Sequence, residues 1–155
     1  MGRILGVDYG DARVGLAITD KIKIIASPYK TLSNSNLDVL LYEINYVVKK
    51  KSVESIVLGK PIGLNGKETE QTKKVILFSK KLSKFNIPIF FEDERFSSVT
   101  AKKSLIKEKI KTGYNKGLVD QRSASIILQS FLDKTKKQWL TQFPFPITFF
   151  PYYRV

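Results

Sequence analysis

Neither cysteine nor histidine occurs anywhere in the 155 residues. Without cysteine there is no disulfide framework and no thiolate metal site, and the composition suits a reducing cytosol. The absence of histidine excludes a histidine general base, a Ser-His-Asp triad and an imidazole zinc site. Carboxylates, lysine, tyrosine and hydroxyls remain as the reactive groups, so any metal here would sit among oxygens, which favours Mg²⁺, Mn²⁺ or Ca²⁺. No apolar run approaches the roughly 18 residues of a membrane span. The N-terminus lacks the basic start, apolar stretch and small-residue cleavage site of a signal peptide. These features predict a cytoplasmic protein with no membrane partner. No repeat or low-complexity segment interrupts the chain. With 43% hydrophobic residues it holds enough apolar material for one core and has no room for a second domain.

Acidic residues are scarce relative to basic ones: 14 against 27, a net charge of +13. Such an excess draws a protein to a polyanion through phosphate contacts and counterion release. A general preference for lysine would produce the same total. The excess is clustered, however, since residues 97–119 carry six lysines and one acid, Glu108, directly after the acidic run Glu92, Asp93 and Glu94. A basic band beside an acidic point suits an enzyme that handles nucleic acid around bound metal.

Apolar runs on either side of a glycine-containing stretch predict a hairpin over residues 3–20, with Asp8 at the end of its first strand. Asp8 there is either a site carboxylate or an Asx-turn acid bonding the backbone of Gly10 or Asp11. A third short strand is expected at 22–26, ended by Ser27 and Pro28. Leu37, Leu40, Leu41, Ile44, Val47 and Val48 follow helical spacing, with an N-cap candidate in the Asn-rich stretch 33–36. Residues 55–59 read as a buried strand opening into a Pro- and Gly-punctuated loop at 60–68. Val75, Phe78, Leu82 and Phe85 mark a second amphipathic helix, and 87–91 a fifth strand.

Residues 97–110 read as a weakly apolar helix with a lysine-rich face, and 111–117 as a flexible connection. A last helix carries Ala124, Ile127, Leu128, Phe131 and Leu132 as one stripe. The expected architecture is α/β: a mixed five-stranded sheet covered by helices, with sites beyond the carboxyl ends of strands. The domain should span 1–135. Residues 136–155 form an aromatic and proline-rich arm, either packed back on the domain or docking a partner.

Three segments carry a resemblance. Asp8, Gly10, Arg13, Gly15, Ala17 and Asp20 fit the pattern Asp-x-Gly-x-x-Arg-x-Gly-x-Ala-x-x-Asp. Asp93, Glu94, Arg95, Ser97, Ser98 and Ala101 resemble Asp-Glu-Arg-x-Ser/Thr-Thr-x-x-Ala. Lys116, Gly117, Val119, Asp120, Ala124, Ile127, Leu128 and Gln129 resemble Lys-Gly-x-Val-Asp-x-x-Ala-Ala-x-x-Ile-Leu-Gln. In order and spacing the chain is similar to the YqgF family, also called RuvX, which has a ribonuclease H-like fold with helices on both faces of the sheet. It departs from the pattern at Ser98, where the family has Thr, and at Ser123, where it has Ala.

The resemblance implies a nuclease that matures the 5′ end of pre-16S rRNA in ribosome biogenesis, with Holliday junction resolution as the alternative. It further implies that Asp8, Glu94 and Asp120 are the catalytic, metal-binding carboxylates, holding Mg²⁺ or Mn²⁺. Two such ions, about 3.5 to 4 Å apart, activate water and stabilise the leaving oxygen. Each acid also has a plainer reading: Asp120 as a helix N-cap, Glu94 as a partner of Arg95 or a lysine. Alternation along a strand sends Asp93 and Glu94 to opposite faces, and Glu94 is the one chosen for the metals. Arg13, Lys60, Arg95 and Lys116 are the candidate nucleic-acid contacts, and the partner is pre-rRNA or structured DNA or RNA. Monomer and homodimer both remain open. So does a non-catalytic RNA-binding module. An actin-like or sugar-kinase phosphate site would need two related domains and a second Asp-x-Gly loop, and the chain has neither.

Overall fold

The computed structural model describes residues 2–95 and 115–142. In chain order the elements are β1 (Arg3–Tyr9), β2 (Arg13–Thr19), β3 (Ala26–Ser33), α1 (Leu37–Lys50), β4 (Val53–Lys60), α2 (Glu70–Leu82), a 3₁₀ turn (Ser83–Phe85), β5 (Ile89–Asp93) and α3 (Lys116–Gln142). The strands lie in the order β3-β2-β1-β4-β5. β1, β2 and β3 pair antiparallel, while β4 runs parallel to both β1 and β5. The mixed five-stranded sheet is therefore as expected. The helix anticipated at 97–110, with its lysine-rich face, lies outside the described residues.

Alternation along β1 divides the interior. Leu5 and Val7 join Leu40, Ile44, Val75, Phe78 and Leu82 under α1 and α2. Ile4, on the opposite side, joins Ala17, Val57, Ala124, Ile127, Leu128 and Leu132 under α3. Each fully buried Leu or Ile contributes about 1.5–3 kcal/mol, so both faces of the sheet need helical cover. Asn36 caps α1 by accepting from the Val39 N–H at 3.1 Å, and Thr69 with Thr72 closes a capping box on α2. Each cap removes an orphan donor worth about 1 kcal/mol.

The third strand lies later than the sequence suggests. Residues 22–25 form a turn, because the Asp20 carboxylate accepts both the Ile24 and Ile25 N–H groups at 2.8 Å and Lys23 adopts a left-handed φ of 57°. Ile22 and Ile25 face solvent despite their apolarity. The strand starts at Ala26 and runs through Pro28, tolerated because β3 is an edge strand and its register with β2 shifts between Leu16 and Ala17.

Two further boundaries move. β5 sits two residues beyond the expected 87–91. Lys116 and Gly117, expected in a connection, belong to α3, which continues past position 135 and includes Trp139 to Gln142. The remainder of the aromatic arm lies outside the described residues.

Candidate active site

α3 lies close against the sheet because glycines face it. A Cβ on Gly15 would sit 2.1 Å from the Asp120 carbonyl oxygen, and one on Gly6 would sit 2.8 Å from Leu128 Cβ. At Gly59 an added Cβ would meet Glu94 Oε2 at 2.4 Å and Ile127 Cδ1 at 2.6 Å. The helix is also tied to both sheet edges. Thr31 Oγ1 donates to the Gly117 carbonyl at 2.7 Å. Glu92 on β5 accepts from Ser130 Oγ at 2.8 Å and pairs with Lys134.

That approach brings three acids from distant segments to the carboxyl end of β1 and β4. Asp8 is cross-strand from Gly15, the glycine against which Asp120 packs. Glu94 follows β5, its N–H donating to the Lys60 carbonyl at 3.3 Å. Its carboxyl donates a hydrogen bond to Asp8, and Ser123 of α3 bonds the same Asp8 carboxylate.

Burial is the main reason both acids are hard to ionise. Desolvation, then the charge of Asp120, raises Asp8 from 3.8 to about 6, although the bonds from Glu94 and Ser123 oppose the rise. For Glu94, desolvation and the neighbouring Asp8 push the carboxyl up to about 8. At neutral pH one proton is therefore held between two carboxylates that would otherwise repel.

Asp93 behaves differently. It turns away onto Arg95, accepting from the backbone N–H at 2.9 Å and from Nε at 2.8 Å, and that bond holds its pKa below the ordinary value. Of the adjacent pair, Glu94 is thus the one that meets Asp8, and the two side chains part as alternation leads one to expect.

Asp120 lies inside α3 rather than at its cap, which rules out the N-cap reading. Its Oδ2 accepts from Arg13 Nε at 2.6 Å, across 107 positions of sequence. Among the described residues no three acids are already drawn around one point; Asp120 is held by Arg13 instead. The donor set is nevertheless all oxygen and sharply short of positive charge at Asp8 and Glu94, which fits a hard divalent cation.

The expected cations also cluster at this edge, mostly in ion pairs. Lys60 Nζ meets Glu68 at 3.1 Å, and Arg95 Nη2 meets Asp93 at 2.7 Å. Lys116 is exposed at the start of α3. Three features escaped sequence reading: the Ser123 hydroxyl on Asp8, the buried Glu92 that anchors α3, and Asp11, which pairs with Lys74 of α2 at 2.9 Å. Ser123 could have been found from its place one turn after Asp120, beside the buried Ala124.

A five-stranded mixed sheet with helices on both faces and carboxylates at the end of its first strand defines a ribonuclease H-like protein. Solved structures of that class match in fold: RuvC of T. thermophilus in complex with Holliday junction substrate, at TM-score 0.55 and 11% identity over 87% of this chain and 96% of that one, and the fowlpox virus resolvase, at TM-score 0.55 and 14% identity over 86% and 98%. The chain belongs to the RuvX family, whose model, described as Holliday junction resolvase, matches residues 2–134. Relatives named "Putative pre-16S rRNA nuclease" include one from Phocaeicola vulgatus, 41% identical over 88% of this chain and 99% of that protein. Another, from Amoebophilus asiaticus, is 41% identical over 90% and 100%.

Proposed function

We propose that this protein is a pre-16S rRNA nuclease, hydrolysing phosphodiester bonds in the 5′-end maturation of small-subunit rRNA, with Mg²⁺ or Mn²⁺ held by Asp8, Glu94 and Asp120. The observation that carries this reading is the meeting of Asp8 and Glu94, half-buried and hydrogen-bonded to each other, at the sheet end where Asp120 of α3 packs on Gly15. A proton there does what a divalent cation would do better. The relatives' names supply the substrate, and the cysteine-free composition suits a cytoplasmic setting.

When bound, the metal supplies an activated water and stabilises charge on the leaving oxygen. The chain's own groups do the rest. Asp8 and Glu94 would hold the cation with Asp120, the proton between them passing to solvent, and Ser123 would keep the Asp8 carboxylate oriented. Arg13, exchanging Asp120 for a substrate phosphate, frees the third carboxylate. Lys60, Arg95 and Lys116 hold the flanking phosphates, which position the strand without reading its sequence.

A second reading, cleavage of four-way DNA junctions, is favoured by the family description and by the junction-bound neighbour. Labelled precursor rRNA leader, single-stranded RNA and a four-way DNA junction, each incubated with Mn²⁺ or with chelator, separate the two. Cleavage of the leader in Mn²⁺ alone is expected. Preferential cleavage of the junction would move the assignment to DNA, and cleavage in chelator would remove the metal.

A further inference from the structure

The end of the molecule opposite the carboxylates carries an excess of positive charge with no role in the site. α1 and α2 both finish at that pole, because each feeds one of two parallel neighbouring strands, β4 and β5. Lys49 and Lys50 form the last turn of α1 with Lys51 as its C-cap; Lys80 and Lys81 close α2, and Lys84 follows in the 3₁₀ turn. All are exposed except Lys51, which is half-buried. Lys50 Nζ lies 5.3 Å from the ring centre of Tyr46, itself 54% exposed, and Lys51 Nζ lies 5.5 Å from that of Tyr29.

Lysines at a helix C-terminus complement its dipole, and that effect alone would be the plainer cause. The magnitudes do not match it. Two helix ends carry roughly −0.5 charge each, against six lysines. Among the described residues none of the six forms an ion pair, and the acids nearest in sequence are already engaged: Glu54 by Lys23 and Glu43 by Lys30. Apart from Glu43 in the middle of α1, the acidic residues of both helices stand at their other ends, Asp38 and Glu70 in the first turns.

We infer that this lysine pole, with Tyr46 as a stacking platform, is a second nucleic-acid surface that holds the RNA remote from the cut. The inference rests on the nucleic-acid reading above. β4 spans eight residues from this pole to Lys60, so the two surfaces stand about 25 Å apart at roughly 3.3 Å per residue. An RNA only a few nucleotides long cannot reach across that distance. A short substrate fills only the carboxylate end, whereas a long one reaches both. Lysines supply salt-sensitive affinity without sequence choice, and an exposed tyrosine ring accepts any base.

The test replaces Lys49, Lys50, Lys51, Lys80, Lys81 and Lys84 together by Gln in the full chain, and in a second variant by Arg. Binding and Mn²⁺-dependent cleavage are measured on a long-flanked RNA and on one trimmed to a few nucleotides either side of the cut. With Gln, affinity for the long RNA should fall about tenfold or more. The slope of log K against log salt should shrink by about 2, as expected when three single-strand phosphates are no longer neutralised, at about 0.7 each. The trimmed RNA should be bound and cut as by the wild type, and the Arg variant should retain long-RNA binding. An unchanged slope, or equal losses on both RNAs, overturns the inference. Wild-type protein binding neither RNA would overturn the functional reading as well, a result distinct from an unchanged slope.

Discussion

Arg13 Nε and Asp120 Oδ2 meet at 2.6 Å, joining the start of β2 to the first half of α3. Under the proposed function a guanidinium occupies the acid that the cation would need, so metal binding and phosphate binding would compete for one residue. Arg13→Gln should raise Mn²⁺ affinity in the absence of nucleic acid by a few-fold, a modest gain because the pair is partly exposed and screened. The same change should weaken RNA binding. Calorimetric Mn²⁺ titration of the two proteins checks this, and a lower metal affinity in the variant would show that Arg13 supports the site rather than blocking it.

The acidic pair after β5 yields an ordered prediction. Glu94 meets Asp8, whereas Asp93 is engaged by Arg95. Glu94→Gln should therefore reduce turnover far more than the roughly 10–100-fold expected from loss of a supporting group around a metal, and Asp93→Asn should fall within that range. Single-turnover rates on one RNA give the ranking directly. The reverse order would put Asp93 in the site.

Metal-free stability should depend on pH with a definite sign. Asp8 and Glu94 have folded-state pKa values of about 6 and about 8, above their ordinary 3.8 and 4.5. The fold thus favours their protonated forms, so their contribution is complete below the ordinary values and is lost as pH rises through about 6 and then about 8. In chelator, the Tm of the wild type should fall relative to an Asp8→Asn, Glu94→Gln double variant across that interval. The shift scales at about 2–4 °C per kcal/mol for a chain of this size. Adding Mn²⁺ should reverse the order, since only the wild type gains the ligand's stabilisation. A Tm difference flat with pH would mean that the two carboxyls are not desolvated against each other.

Ser123 donates to Asp8 from a fully enclosed position. Its bond favours the charged form of Asp8, so Ser123→Ala should raise that pKa and move the acid limb of the rate–pH profile to higher pH. A profile displaced only in height would make Ser123 a packing residue.

Much of the site is legible in the sequence because it depends on strand parity and helix spacing. Asp8 at a strand end, Glu94 one residue out of phase with Asp93, and Asp120 four residues before Ala124 are local patterns. Ser123 is hidden because its partner is 115 positions away by residue number. Only the approach of α3 over Gly6, Gly15 and Gly59 brings the two together. The third strand departs from expectation for a related reason: Ile22, Ile24 and Ile25 have strand composition, but the Asp20 carboxylate captures their backbone into a turn. Side-chain capture of N–H groups outcompetes propensity over so short a run.

The most direct test of the carboxylate site compares Asp8→Asn with wild type on labelled pre-16S leader RNA, measuring affinity and single-turnover cleavage in Mn²⁺ on the same preparations. Asn keeps the size and the hydrogen bonds but not the charge. RNA affinity should stay within about twofold of wild type, with the cleavage rate reduced beyond the roughly 100-fold upper range for a supporting group. Wild-type cleavage by Asp8→Asn would contradict the assignment, because the carboxylate around which the whole site is arranged would then have no part in the reaction.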